Sequence, residues 1–239
     1  MPPAWVARLR KVFAGEGAEV ILVDVDQRGM QTAVRELERL GARTSAHRVD
    51  LADEEAIAAF ASEFLAVYPK LDVLVNNAGL AYGEISQSFE TLSQAKWLRC
   101  FAINTVAPLL LVQALRPALA AARGVILNQS SMAANVPATA YGVTKDALNA
   151  ITYGMAHRFG GDGIRAVAVA PGLMETPAAT QGLTSEVIAG VRSLQVLARP
   201  GTPGDIARLH LFLASDDASF ITGEVVSCDG GNARRGWRY

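Results

Sequence analysis

From residue 19 onward, apolar runs of strand length alternate with stretches of helical period. That alternation restricts the chain to a parallel sheet with helices on both faces. The strand candidates are Glu19–Val23, Thr44–Val49, Leu71–Val75, Val125–Leu127, Ala166–Ala170 and Gly223–Ser227. Between them the spacing predicts amphipathic helices over Trp5–Phe13 and Arg28–Leu40, a third that Asp53 caps and that runs past Phe64 and Val67, and a long one over Leu92–Leu119. Two more follow, one opening near Tyr141 and one over Pro203–Ala214. The fold expected is α/β, a Rossmann-like, doubly wound parallel sheet in three αβα layers. In such a sheet the strand ends line one crevice, where ligands bind.

With 239 residues, one domain spanning 1–239 is expected. Hydrophobic residues make up 51%, enough for a large core, and the formal charge is −1, from 22 basic and 23 acidic residues. No basic face is evident, so neither nucleic acid nor an anionic membrane is expected as a partner. Apolar runs such as Ala107–Leu115 are too short to span a bilayer, and the N-terminus has no signal-peptide core. Cys100 and Cys228 follow no metal or redox spacing, which fits a reduced, cytoplasmic setting. His47, His157 and His210 are scattered without ligand spacing, so no metal is expected.

The chemistry is concentrated between Gly124 and Lys145. An apolar run, Val125-Ile126-Leu127, stops at Asn128-Gln129-Ser130-Ser131, and after a loop come Tyr141 and, four residues on, Lys145. Residues at that spacing share a helix face, so phenol and ammonium lie side by side, and a nearby cation lowers a phenol's pKa toward the working range of a general acid/base. Elsewhere, Asn76-Asn77-Ala78-Gly79 directly follows a strand, where small residues let the backbone approach a ligand. Asn104 stands among Phe101, Ile103 and Val106 within a helical pattern, as either a structural bridge or part of a polar site.

In combination these features resemble the classical short-chain dehydrogenase/reductase family, from about Leu9 to Gly231. The motifs, in order, are Asp24 closing an early strand, Asp50-Leu51, NNAG at 76–79, Asn104, serine then YxxxK, Pro171-Gly172 with Thr176, and FLASD leading to ITGEVVSCDGG. The resemblance implies an NAD(P)-dependent oxidoreductase that interconverts a secondary alcohol and a ketone. Tyr141 would exchange the proton, Ser131 would hold the substrate oxygen, Lys145 would depress the Tyr141 pKa and bind the nicotinamide ribose, and Asn104 would support a water. Asp24 would bind the adenosine ribose. A carboxylate there, followed by Val25, favours NAD over NADP, although Arg28 is near. Asp50 and Leu51 would flank the adenine, Asn76, Ala78 and Gly79 would line the cleft, and Pro171, Gly172, Met174 and Thr176 would lie along the nicotinamide end. Ser131 stands closer to Tyr141 than the family's serine usually does, which leaves Ser130 as an alternative. The family also implies a homotetramer or dimer.

One departure is large. The family opens with a strand and a TGxxxGxG turn that seats the pyrophosphate on a helix N-terminus. Only Met-Pro-Pro precedes Ala4, and Gly15 and Gly17 fall after the first helix, so the expected fold lacks its first, central strand. Three accounts are open: a protein that begins upstream of Met1, a degenerate product, or another segment or subunit in the gap. The alternative function is therefore a non-catalytic or cofactor-impaired Rossmann-like protein. An epimerase or elimination reaction on the same residues also stays open. The segment Pro177–Val191, with Ala178, Ala179, Leu183, Val187 and Ile188, suggests an apolar lid over a small or medium alcohol or ketone.

Overall fold

The structure, a computed structural model, describes residues 4–80, 89–174, 176 and 183–232. In chain order the main elements are α1 (Ala4–Gly15), β1 (Val20–Asp24), α2 (Gln27–Glu38), β2 (Thr44–Arg48), α3 (Glu54–Val67) and β3 (Val73–Asn76). Then come α4 (Gln94–Phe101), a π-helical turn (Ala102–Val106), α5 (Ala107–Ala122), β4 (Val125–Gln129) and α6 (Ala140–Phe159). The chain continues through β5 (Arg165–Pro171), α7 (Ser185–Ser193), α8 (Pro203–Ala214) and β6 (Glu224–Cys228). Each predicted strand and helix is present, with ends shifted by a few residues. The largest differences are the π turn, which interrupts the long helix, and β4, which runs on through Asn128 and Gln129.

All strand pairings are parallel, as the βαβ alternation requires. β4 and β5 are covered on both faces, so Val125–Leu127 and Ala166–Ala170 are all buried. One face packs against α3, α5 and α6 through Phe60, Phe64, Leu115, Ile126, Met155 and Phe159. The other carries α8 through Val125, Leu127, Val169, Ile206 and Leu213, and α1 packs on α8. Asp53 caps α3, its Oδ1 accepting from the Glu55 and Ala56 amides at 2.9 and 3.2 Å.

The sheet is in two pieces. Among the described residues β1 bonds only β2, and a four-stranded sheet runs β3-β4-β5-β6. Between β1 and β3 lies a slot of about 820 Å³, lined by both strands along their whole length and by Leu9, Phe13, Phe64 and Leu115. Seven of the nine residues on its two strands, Val20 to Val23 and Val73 to Val75, are apolar and only half-buried. Residues 94–122 form one continuous helical run long and apolar enough to cross a membrane, contrary to the reading of the sequence as too short; half of its most apolar window is buried against the sheet and neighbouring helices, as in a core helix.

Candidate active site

The parallel register sets the C-terminal ends of β1, β3, β4 and β5 along one side of the sheet, where a cavity of about 990 Å³ opens. Tyr141 and Lys145 on α6, and Ser130 and Ser131 after β4, all line it. Ser131 hydrogen-bonds the Tyr141 phenol. Its Oγ also accepts from the Ala133 amide at 3.1 Å, starting the 3₁₀ turn Met132–Asn135 that shortens the path to Tyr141. Ser130 is buried, with its Oγ 3.5 Å from the Lys145 carbonyl oxygen that accepts from it. This places Ser131, of the two serines, beside the phenol.

Lys145 is buried, and its Nζ donates to the Gln129 carbonyl oxygen at 2.7 Å. The ammonium stands 5.7 Å from the centre of the Tyr141 ring. The side-by-side placement is as the spacing predicts, but the electrostatics differ. Burial pushes the phenol above its ordinary value, partly offset by the hydrogen bond from Ser131. Burial also brings Lys145 down from 10.5 to about 8. Desolvation outweighs the attraction the sequence suggests, because the ammonium is directed at a main-chain oxygen rather than at the phenol oxygen.

Asn104 sits inside the π turn, a local widening of the helix frequent at functional sites. It is buried and does not itself line the cavity. Its Oδ1 accepts from the Leu80 amide at 2.8 Å, and its Nδ2 donates to Thr144 Oγ1 at 3.2 Å. It thereby ties the segment after β3 to α6, the bridging alternative. A Cβ on Gly79 would lie 3.0 Å from Asn104 Oδ1 and 3.6 Å from Lys145 Nζ, so a residue without a side chain is needed there.

Asp24, Asp50, Leu51, Ala78, Gly79, Pro171, Gly172 and Met174 all line the cavity. Asp24 Oδ1 accepts from the Asp26 amide at 3.0 Å and Asp50 Oδ1 from the Ala52 amide at 2.9 Å. Thr176 is buried, its amide donating to the Met174 carbonyl at 2.9 Å, and is not among the lining residues. Asn76 faces the slot between β1 and β3 instead, and its Nδ2 donates to Asn128 Oδ1 at 2.8 Å. Asn128 in turn donates to Thr152 Oγ1 at 2.9 Å, a buried polar chain from β3 to α6 that the sequence reading missed. Its only signal was a polar residue directly after a buried strand run. Asn77 was also missed: it lines the cavity, and its buried Oδ1 has no hydrogen-bond partner among the described residues. Of the lid residues, Leu183 and Val187 line the cavity, and Ala178 and Ala179 lie outside the described residues. Among the described residues no cluster of His, Cys, Asp and Glu could hold a metal ion.

A family model described as enoyl-(acyl carrier protein) reductase matches residues 8–233, nearly the whole chain. The chain belongs to the short-chain dehydrogenases/reductases. Among curated relatives, cis-4-hydroxycyclohexanecarboxylate dehydrogenase of Sinomonas cyclohexanicum is 35% identical over 94% of this chain and 90% of its own length. Among solved structures, 7α-hydroxysteroid dehydrogenase complexed with NADH and 7-oxo glycochenodeoxycholic acid superposes with a TM-score of 0.85 at 31% identity, covering 92% of this chain and 87% of that one. A blue fluorescent protein from a metagenomic library, in complex with NADPH, gives 0.83 at 30% identity, over 95% and 92%. This short-chain dehydrogenase/reductase is accordingly an oxidoreductase that acts on CH–OH donors with a nicotinamide cofactor.

Proposed function

We propose that the protein interconverts a secondary alcohol and a ketone, with Tyr141 as general acid/base and NAD as the preferred cofactor. The observation that carries this reading is the Ser131–Tyr141 hydrogen bond at the wall of the large cavity, one helical turn from Lys145. In the oxidising direction Ser131 holds the substrate hydroxyl, Tyr141 in its phenolate form takes its proton, and the carbonyl forms as hydride leaves the carbon. When bound, the nicotinamide supplies the hydride acceptor or donor; the chain supplies alignment and the proton. The cavity suits such a group, because Gly79 puts no side chain into its lining and Asn77 Oδ1 is left without a partner among the described residues. Lys145 would bind the nicotinamide ribose. Asp24 would bind the adenosine ribose and repel a 2′-phosphate, favouring NAD. Apolar residues Leu183, Val187, Val191 and Leu194 on the cavity wall support an apolar alcohol or ketone as substrate.

We infer further that residues 1–239 act as one domain, in the cytoplasm, as a homodimer or homotetramer. Leu109 and Leu110 stay only half-buried on α5, which supports a partner surface there.

The slot between β1 and β3 supports the view that the family's first strand and glycine-rich turn belong at that place, and that filling it raises cofactor affinity. It also favours the second reading, a cofactor-impaired protein. Calorimetric titration of NADH separates the two, using the 239-residue chain beside a version extended upstream with that strand and turn. Binding by the extended chain, with NAD-dependent turnover across a panel of alcohols, upholds the oxidoreductase reading. Absence of binding and turnover in both would overturn it.

A further inference from the structure

Gln129 occupies a position that strand alternation assigns to an apolar residue. In β4, Val125 and Leu127 point into the cluster shared with Val169, Met174 and Ile206. Gln129 is the next residue on that face and stands opposite Val169 in the register with β5. Asn128, on the other face, has its amide and carbonyl both engaged, by Thr152 and Asn76. The Gln129 side chain does not. The residue is 5% exposed, and its Oε1 is buried with no hydrogen-bond partner among the described residues.

A buried carboxamide left unpaired costs stability, so its place beside an apolar cluster calls for a partner. Gln129 also lines the large cavity, as do Pro171, Gly172 and Met174. Its main-chain oxygen holds Lys145 Nζ at 2.7 Å, so the same residue both holds the catalytic lysine and borders the cavity. The group that would satisfy a carboxamide best is one that also offers both a donor and an acceptor.

We propose that the Gln129 side chain is a cofactor-positioning residue, its amide pairing with the carboxamide of the nicotinamide and so fixing which way the ring faces the substrate. This rests on the reading of the cavity as a nicotinamide dinucleotide site. An aliphatic side chain at position 129 would pack better with Val169 and Met174 and would lose that pairing.

The test uses the full chain, with Gln129→Leu and the length-matched Gln129→Met, titrated with NADH and with ADP-ribose, which lacks the nicotinamide. Both variants should melt at or above the wild-type temperature without ligand, because an unpaired buried amide is removed. Both should bind NADH about tenfold more weakly and ADP-ribose unchanged. Unchanged NADH binding in the variants, or equal weakening of both ligands, overturns the proposal while leaving the dinucleotide reading intact. If the wild type binds neither ligand, both as the 239-residue chain and with the upstream strand and turn added, the dinucleotide reading fails and this assignment fails with it.

Discussion

Lys145 donates its ammonium to the Gln129 carbonyl oxygen at 2.7 Å, four residues and one helical turn beyond the Tyr141 phenol it flanks. Burial brings its pKa from 10.5 to about 8. Between those values the unfolded chain holds a proton that the folded chain has released. Stability therefore rises with pH across that window, and the penalty for burying the ammonium is fully present below about pH 8. Relative to Lys145→Met, the wild type should gain up to about 3 kcal/mol between pH 7 and pH 10.5, read from denaturant midpoints. A difference that stays flat with pH would mean that Lys145 is solvated in solution.

Tyr141→Phe should lower kcat by about 10³-fold or more while shifting the melting temperature little, since the ring and its packing are kept and the hydrogen bond with Ser131 is lost. NADH affinity should be kept. Ser131→Ala should lower kcat as well, and the double variant should lose less than the sum of the two, because both side chains act on one oxygen. Retention of substantial turnover by Tyr141→Phe would remove the phenol from the reaction.

Gly79→Ala should be destabilising by about 1–3 kcal/mol. The added Cβ would stand 3.0 Å from Asn104 Oδ1, which cannot give way because it already accepts from the Leu80 amide and its amide is held by Thr144. Thermal melting reads the effect directly. Asn104→Ala should relieve the clash and make the pair non-additive.

Asp24→Ser should move cofactor preference toward NADPH by about tenfold in the ratio of kcat/KM values, since removing one carboxylate removes the repulsion of a 2′-phosphate. Melting should stay near that of the wild type, because Asp24 is only half-buried and its side chain serves one amide, that of Asp26. An unchanged ratio would place the cofactor's adenosine elsewhere.

The sheet and its flanking helices were legible because burial writes itself into period: Val125–Leu127 and Ala166–Ala170 are apolar throughout, and both strands are covered on two faces. Strand ends were less so. Asn128 and Gln129 looked like the end of β4, yet both are inside it, because the main-chain ladder with β5 runs on to Gln129 opposite Val169 whatever the side chains carry. The π turn around Asn104 had no periodic signature, since a single extra residue in a helix leaves the apolar pattern nearly unchanged. The spacing of Tyr141 and Lys145 placed the two side chains correctly but could not give the direction of either pKa, which depends on how deeply both are covered and on the carbonyl that receives the ammonium.

The break in the sheet has a consequence for how the molecule opens. Among the described residues no ladder of hydrogen bonds joins β1 and β2 to the four strands beyond them, so the first fifty residues are tied on by side-chain packing, of α1 against α8 and of Ile21, Val23 and Val49 against the core. Two cooperative units are then expected, with amide hydrogens of Val20–Asp24 and Thr44–Arg48 exchanging at a lower free energy than those of β4 and β5, and with any segment that bridges the slot merging the two into one.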